Sequence, residues 1–193
     1  MKKYTPLHLH THYSLLDGLS KPEDVAKRCA KLGVSSCAVT DHGSISGCVK
    51  FFQTMKQNKI KPILGVELYI SDKDSHVQSK ENRKLSHMLL LAKNLKGWKN
   101  LIDIVSESNK PENYYYKPRL DIKKLKAKIS QGDIIGMSGH PGSYLSSKIY
   151  QDNTFVPDSK IIEQIGELTD VFGKDNFFVE VQLMDKENEY QQN

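Results

Sequence analysis

The chain has 193 residues, 38% of them hydrophobic, which suits one domain with a substantial core but falls short of a complete eight-stranded α/β barrel. Lysine and arginine number 28 against 23 acidic residues, and the excess gathers at residues 80–84 and 117–128, so an anionic partner such as nucleic acid is expected. No apolar run approaches the length of a membrane span, residues 1–6 lead into histidines rather than an apolar leader, and the three cysteines, Cys29, Cys37 and Cys48, match no zinc-finger spacing. The sequence thus reads as a soluble cytoplasmic domain with reduced, buried thiols and no membrane partner.

Residues 7–10 read as a short strand. Its continuation, His8-Leu9-His10-Thr11-His12, alternates three histidines, and an extended chain would point all three imidazoles to one side. Ser20-Lys21-Pro22-Glu23 has the form of a capping box with proline in the first turn, opening a helix to about Leu32 that Gly33 stops. Residues 36–40 form a second buried strand, Ser44 is placed to cap a helix carrying Val49, Phe52 and Met55, and residues 62–70 extend again.

Residues 71–84 are polar and without period, hence a surface loop, and residues 88–92 an apolar strand. Asn94 caps a helix with Trp98, Leu101, Ile102 and Val105 on one side. A Tyr- and Pro-rich connection fills 108–119, then come a basic helix (121–129), a strand (133–138), a short helix (143–150), a longer one (159–172) and a last strand (177–182). Repeated βα units predict a largely parallel sheet or an α/β barrel, with no internal repeat or domain boundary, and only the tail after Met184 is poor in apolar residues.

In such a barrel the functional groups sit where strands end. His10 and His12 end the first strand with Asp17 beyond, Asp41-His42 follow the second, Glu67 lies late in the third, and His140 follows the strand at 133–138. A single loop histidine is ordinarily solvated or hydrogen-bonded, but several segments aiming imidazole and carboxylate at one mouth point to zinc, manganese or iron, and to more than one ion. His87 is the awkward member, because it opens its apolar strand instead of closing it. His8 is placed to support His10 by a hydrogen bond, Asp41 to orient a ligand from behind, and His76 to lie exposed. Lys117 and Arg119, beside Tyr114, Tyr115 and Tyr116, are candidate nucleic-acid contacts by charge and stacking.

Leu9-His10-Thr11-His12, Tyr13-Ser14-Leu15-Leu16-Asp17-Gly18, Thr40-Asp41-His42-Gly43, Gly65-Val66-Glu67 and Ser86-His87-Met88-Leu89-Leu90-Leu91-Ala92-Lys93-Asn94 together resemble the PHP (polymerase and histidinol phosphatase) superfamily. The segments Tyr13 to Gly18, Gly97 to Leu101 and Tyr115-Tyr116-Lys117-Pro118-Arg119-Leu120-Asp121 are similar to its replicative branch, the N-terminal PHP domain of bacterial DNA polymerase III alpha subunits. The resemblance implies an α/β fold of the distorted (β/α)7 barrel type and phosphoesterase chemistry, in some members a 3′–5′ proofreading exonuclease. It also implies up to three divalent metals, zinc, manganese or iron. By the same resemblance the metal-ligand positions are His10, His12, Asp17, His42, Glu67, His87 and His140, with His10, His12, Asp17 and His42 acting in catalysis through the bound metal.

The family's later Asp-x-His pair and the polymerase core have no counterpart, which implies a barrel incomplete at its C-terminus, an exposed edge on the first strand, and no nucleotide addition by this chain alone. The implied partners are DNA and another polymerase subunit, or the remainder of a split alpha subunit. Two further readings stand beside this one: a noncatalytic scaffold domain, and a free phosphatase of the histidinol-phosphatase type.

Overall fold

A computed structural model describes residues 4–182. α1 (Pro22–Lys31) leads into β1 (Ser36–Val39), and α2 (Cys48–Gln57) crosses to β2 (Lys61–Ser71), which lies parallel to β1 in the register Ser36↔Lys61 to Val39↔Leu64. β3 (Leu85–Ala92) then runs antiparallel to β2, pairing Glu67 with Leu89 and Tyr69 with His87. The connector of residues 72–84 holds only a three-residue 3-10 turn, Lys80–Asn82, and without a crossover helix the chain returns antiparallel.

α3 (Leu95–Ser108) is followed by a small hairpin of β4 (Tyr114–Tyr115) and β5 (Lys117–Pro118), by β6 (Leu120–Asp121) parallel to the end of β2, and by α4 (Ile122–Lys128). β7 (Ile134–Met137) pairs antiparallel with β3. Beyond it come α5 (Tyr144–Ile149), a second hairpin of β8 (Tyr150–Gln151) and β9 (Thr154–Phe155), α6 (Asp158–Phe172), and β10 (Phe177–Phe178) parallel to β7. The sheet order is β1-β2-β3-β7-β10, with β6 on β2. The sheet is parallel in its β1–β2, β2–β6 and β7–β10 pairs, as a largely parallel sheet requires, and β3 is the strand that runs against it.

Alternation along the central strands divides the core. Val66, Leu68 and Ile70 of β2, with Met88 and Leu90 of β3, face a helical layer that includes Leu101, Ile104, Leu125, Leu168 and Phe172. α1 and α2 cover β1 through Val25, Ala26, Cys29, Phe51 and Met55. Ala38, Leu89, Leu91 and Met137 form a separate cluster with Leu7, Ile63 and Ile135, an apolar floor in the same facing set as Glu67 and Tyr69. All three cysteines are free and buried, and burial pushes the Cys37 and Cys48 thiols up to about 12.

Several local expectations change. Lys21 rather than Ser20 is the N-cap of α1, with no side-chain cap, and α2 starts at Cys48 after Gly47, Ser44 bonding Ser46 instead. Asn94 does cap α3, accepting from the Gly97 N–H, but Ile102 is exposed and Ile104 takes its place inside. The last strand is only two residues long, and the tail after Met184 lies outside the described residues.

Residues 7–10 are extended but form no regular strand. They lie along β1, the Ala38 and Thr40 N–H groups donating to the Pro6 and Leu9 carbonyls at 2.9 Å each, so the chain's own start extends the sheet beyond β1. The segment after β10 reaches the same place from the other side of the sheet, with Glu180 2.9 Å from His8 Nδ1. Among the described residues no helix is long and apolar enough to cross a membrane.

Two contacts test this packing. A Cβ on Gly97 would stand 2.1 Å from the Asp133 carbonyl oxygen, where the first turn of α3 meets the start of β7, so Gly97→Ala should lower unfolding free energy in urea by about 1–3 kcal/mol. Asp121 caps α4 through the Lys124 N–H at 2.9 Å and also accepts from the Ser75 N–H. Burial would raise its carboxyl, but the Lys124 ammonium and these N–H donors hold it down at about 2. Its contribution is therefore full above the unfolded value of about 4 and lost as pH falls through about 2. Asp121→Ala should cost about 1–2 kcal/mol at about pH 5, and the gap in melting temperature should narrow on acidification.

Candidate metal centre

The β1–β2 pairing continues past the end of β1. The Glu67 N–H donates to the Asp41 carbonyl at 3.1 Å and the Gly43 N–H to the Glu67 carbonyl at 2.9 Å, which sets His42 beside Glu67. Leu9 is pinned between, its N–H on Thr40 Oγ1 at 2.9 Å, so that His8 and His10 flank the same carboxylate. The antiparallel course of β3 explains His87: its N-terminal half lies at the end where β2 finishes, so a residue that opens the strand reaches the mouth. His140 follows β7 after Gly139, whose φ of 85° makes the turn.

These residues surround Glu67, which is fully buried. His10 Nε2 and His42 Nδ1 stand 3.0 Å from its Oε2, and His8 Nε2 and His140 Nε2 3.5 Å from its Oε1. His8 and His10 face each other nitrogen to nitrogen at 3.1 Å, and His87 and His140 at 3.2 Å. Asp17, half-exposed, lies 3.4 Å from His42 Nε2 and 3.9 Å from His10 Nδ1. Three overlapping groups emerge: His8, His10 and Glu67; His10, Asp17 and His42; Glu67, His87 and His140.

The donor set fits metal ions. Both Glu67 carboxylate oxygens and His42 Nδ1 are buried without a well-formed hydrogen bond. Ligands about 2.0–2.1 Å from a tetrahedral ion stand about 3.3 Å from one another, the range of these separations. Burial would raise the Glu67 carboxyl, but the His10 and His8 imidazoles hold it well below the usual range. Burial likewise lowers His8, yet Glu180 and Glu67 raise it to about 9. His87 falls to about 4, through burial first, opposed by Glu67 and reinforced by His140, His42 and Lys117; burial also lowers His42.

Of the seven ligand positions drawn from the sequence, the structure gathers His10, Asp17, His42, Glu67, His87 and His140, and leaves His12 apart. The Ser14 N–H donates to the Thr11 carbonyl and the His12 N–H to the Ser20 carbonyl, so the chain turns and the alternation ends at His10. His12 is exposed against Tyr13, and it is His8 that lies beside Glu67 and His10 in a group of potential ligands. Asp41 sits behind the centre: it accepts from the Thr11 N–H and hydroxyl and from Ser14 Oγ, which in turn accepts from the His42 N–H and lies 3.1 Å from His10 Nδ1.

Arg119 is corrected as a nucleic-acid contact. It is fully buried, its guanidinium donating to the Asn82 and Tyr115 carbonyls, where it ties the connector before β3 to the β4–β5 hairpin. Lys117 stays exposed at the mouth, and His76 lies exposed, away from it. Sequence reasoning missed Ser14, Tyr69 and Glu180. The signal for Glu180 was a lone carboxylate inside the apolar run Phe177-Phe178-Val179-Glu180-Val181.

The family model of the PHP domain matches residues 6–183. A DNA polymerase III subunit alpha of Helicobacter pylori (strain ATCC 700392 / 26695) is 46% identical over 125 residues, 65% of this chain and 10% of that protein. That of Borreliella burgdorferi is 38% identical over 182 residues, 93% of this chain. The chain spans only 15% of the length of the Borreliella protein. A crystal structure from Bifidobacterium adolescentis, described as a candidate metal-dependent phosphoesterase, superimposes with a TM-score of 0.55 over 93% of this chain and 77% of its own, at 13% identity, a likeness of fold in keeping with a distorted (β/α) barrel. Matched over nearly its whole length, and homologous to a segment of the polymerase III alpha subunits, the chain belongs to the PHP domain family.

Proposed function

We propose that this domain hydrolyses phosphate esters at a divalent-metal centre held by His8, His10, Asp17, His42, Glu67, His87 and His140, acting on DNA 3′ ends within a cytoplasmic replicative polymerase assembly. The observation that carries the reading is the buried Glu67 carboxylate, both oxygens without a hydrogen bond, faced by imidazole nitrogens on every side. Zinc, manganese or iron suits such mixed nitrogen and oxygen ligands and, when bound, supplies a water of lowered pKa and positive charge for the phosphoryl oxygens.

The chain's own part is positioning. Glu67 belongs to two of the three groups and can bridge them. Glu180, at His8 Nδ1, fixes the tautomer that leaves Nε2 free toward Glu67. Asp41 holds His10 and the His42 backbone through Ser14, so both imidazoles keep their orientation without competing for the acid. The net charge of +5 favours a polyanionic substrate over a neutral one. The likeness of residues 115–121 to the replicative branch favours DNA over a small phosphate ester, and the proposed partners are the other parts of an alpha-type subunit.

Plasma emission on the purified chain should find two or more metals per molecule. His8→Ala and His10→Ala should each lower that number by at least one, whereas His12→Ala should leave it unchanged; a loss with His12→Ala equal to that with His8→Ala would reverse the ligand assignment. A 3′-labelled single-stranded oligonucleotide should be shortened by the metal-loaded chain, and Glu67→Gln should slow this by about 100-fold or more. Full metal occupancy with no hydrolysis of oligonucleotide or phosphomonoester would sink the catalytic reading and leave a metal-stabilised scaffold.

A further inference from the structure

One cation stands at the mouth of the centre, outside the potential ligand groups. Lys117 is exposed, and among the described residues it pairs with no carboxylate, whereas Lys50, Lys96, Lys110, Lys124, Lys128 and Lys148 all do. Its Nζ donates to the Tyr69 hydroxyl at 3.1 Å and stands 4.5 Å from the centroid of that ring. Tyr69 is nearly buried, stacks at 13° on His42 with centroids 5.6 Å apart, and leans on His87 at 5.1 Å. The ammonium is therefore held over the rim of the metal centre by a side chain that touches two of its imidazoles.

The backbone under Lys117 is fixed as well. Gly43, directly after His42, has φ of 57°, and a Cβ there would come within 3.0 Å of Pro118 and 3.1 Å of Tyr69. The β4–β5 hairpin thus docks against the His42 turn through the residue next to Lys117. Because the ammonium donates to the phenolic oxygen, the phenol proton is turned away from it and made a stronger donor. Two donors, a cationic N–H and a polarised O–H, stand side by side at the mouth.

We propose that Lys117 and Tyr69 form a two-donor clamp for a non-bridging oxygen of the phosphate ester taken at the metal centre, a reading that rests on the function proposed above. Such charge-assisted donors beside a developing negative charge stabilise it without reorganising. Lys117 is the residue that touches substrate, while Tyr69 both donates and keeps the ammonium in place.

The test is calorimetric titration of inorganic phosphate into the 193-residue chain, metal-loaded and metal-free, with metal content and melting temperature measured on each sample. Lys117→Met should weaken phosphate by about 10-fold, Tyr69→Phe by about 3-fold, and Lys117→Arg should retain most of the affinity. Metal content and melting temperature should not move, as they would if the lysine only braced the hairpin. Unchanged phosphate affinity in Lys117→Met at full metal content overturns the clamp. A wild-type chain that binds no metal overturns the metal-centre reading instead. The metal-free titration still decides the clamp in that case, since both donors are in place without metal: a Lys117-dependent affinity supports it and a Lys117-independent one rejects it.

Discussion

A carboxylate buried away from water is among the most expensive groups a fold can hold, and here the structure is arranged around one. Glu67 sits on β2 with no exposed surface, above the apolar floor of Ala38, Leu89, Leu91 and Met137. An isolated charge in that position would cost many kcal/mol or take up a proton. What keeps it ionised is the surrounding imidazoles, of which His8, raised to about 9, carries a proton at neutral pH. A proton on His8 thus supplies positive charge next to the buried carboxylate.

That requirement accounts for features that look unrelated. The antiparallel β3 breaks the βα rhythm but delivers His87 to the correct end of the sheet, and the turn at residues 12–20 drops His12 while seating Ser14 against Asp41. Arg119, donating to backbone carbonyls, anchors the hairpin from which Lys117 reaches the mouth. The buried parts lie behind and beneath the centre, while Asp17 and Lys117 face solvent in front.

Much of this was legible in the sequence because it rested on composition within single elements. Apolar runs marked β2, β3 and β7, Asn94 and Asp121 declared their helix starts, and the histidine and carboxylate positions at strand ends pointed to one mouth. What failed depended on long-range geometry. The direction of β3 is set by the absence of a crossover helix, and the choice between His8 and His12 by a turn whose hydrogen bonds join residues the alternation rule does not see. Arg119 looked like a surface charge because nothing local says that the Asn82 carbonyl, 37 residues away, turns toward it. Ser20 and Ser44 had the letters of caps, but the adjoining backbone starts its helices later.

The bond between Glu180 and His8 spans almost the entire described chain. Contacts of such separation close last, after the loops between them have paid their entropy. The ring of His8 is thus held in place by a carboxylate 172 positions along the chain, and no shorter stretch of the domain contains both partners. The orientation of that one imidazole is therefore a report that the two ends of the described domain have met.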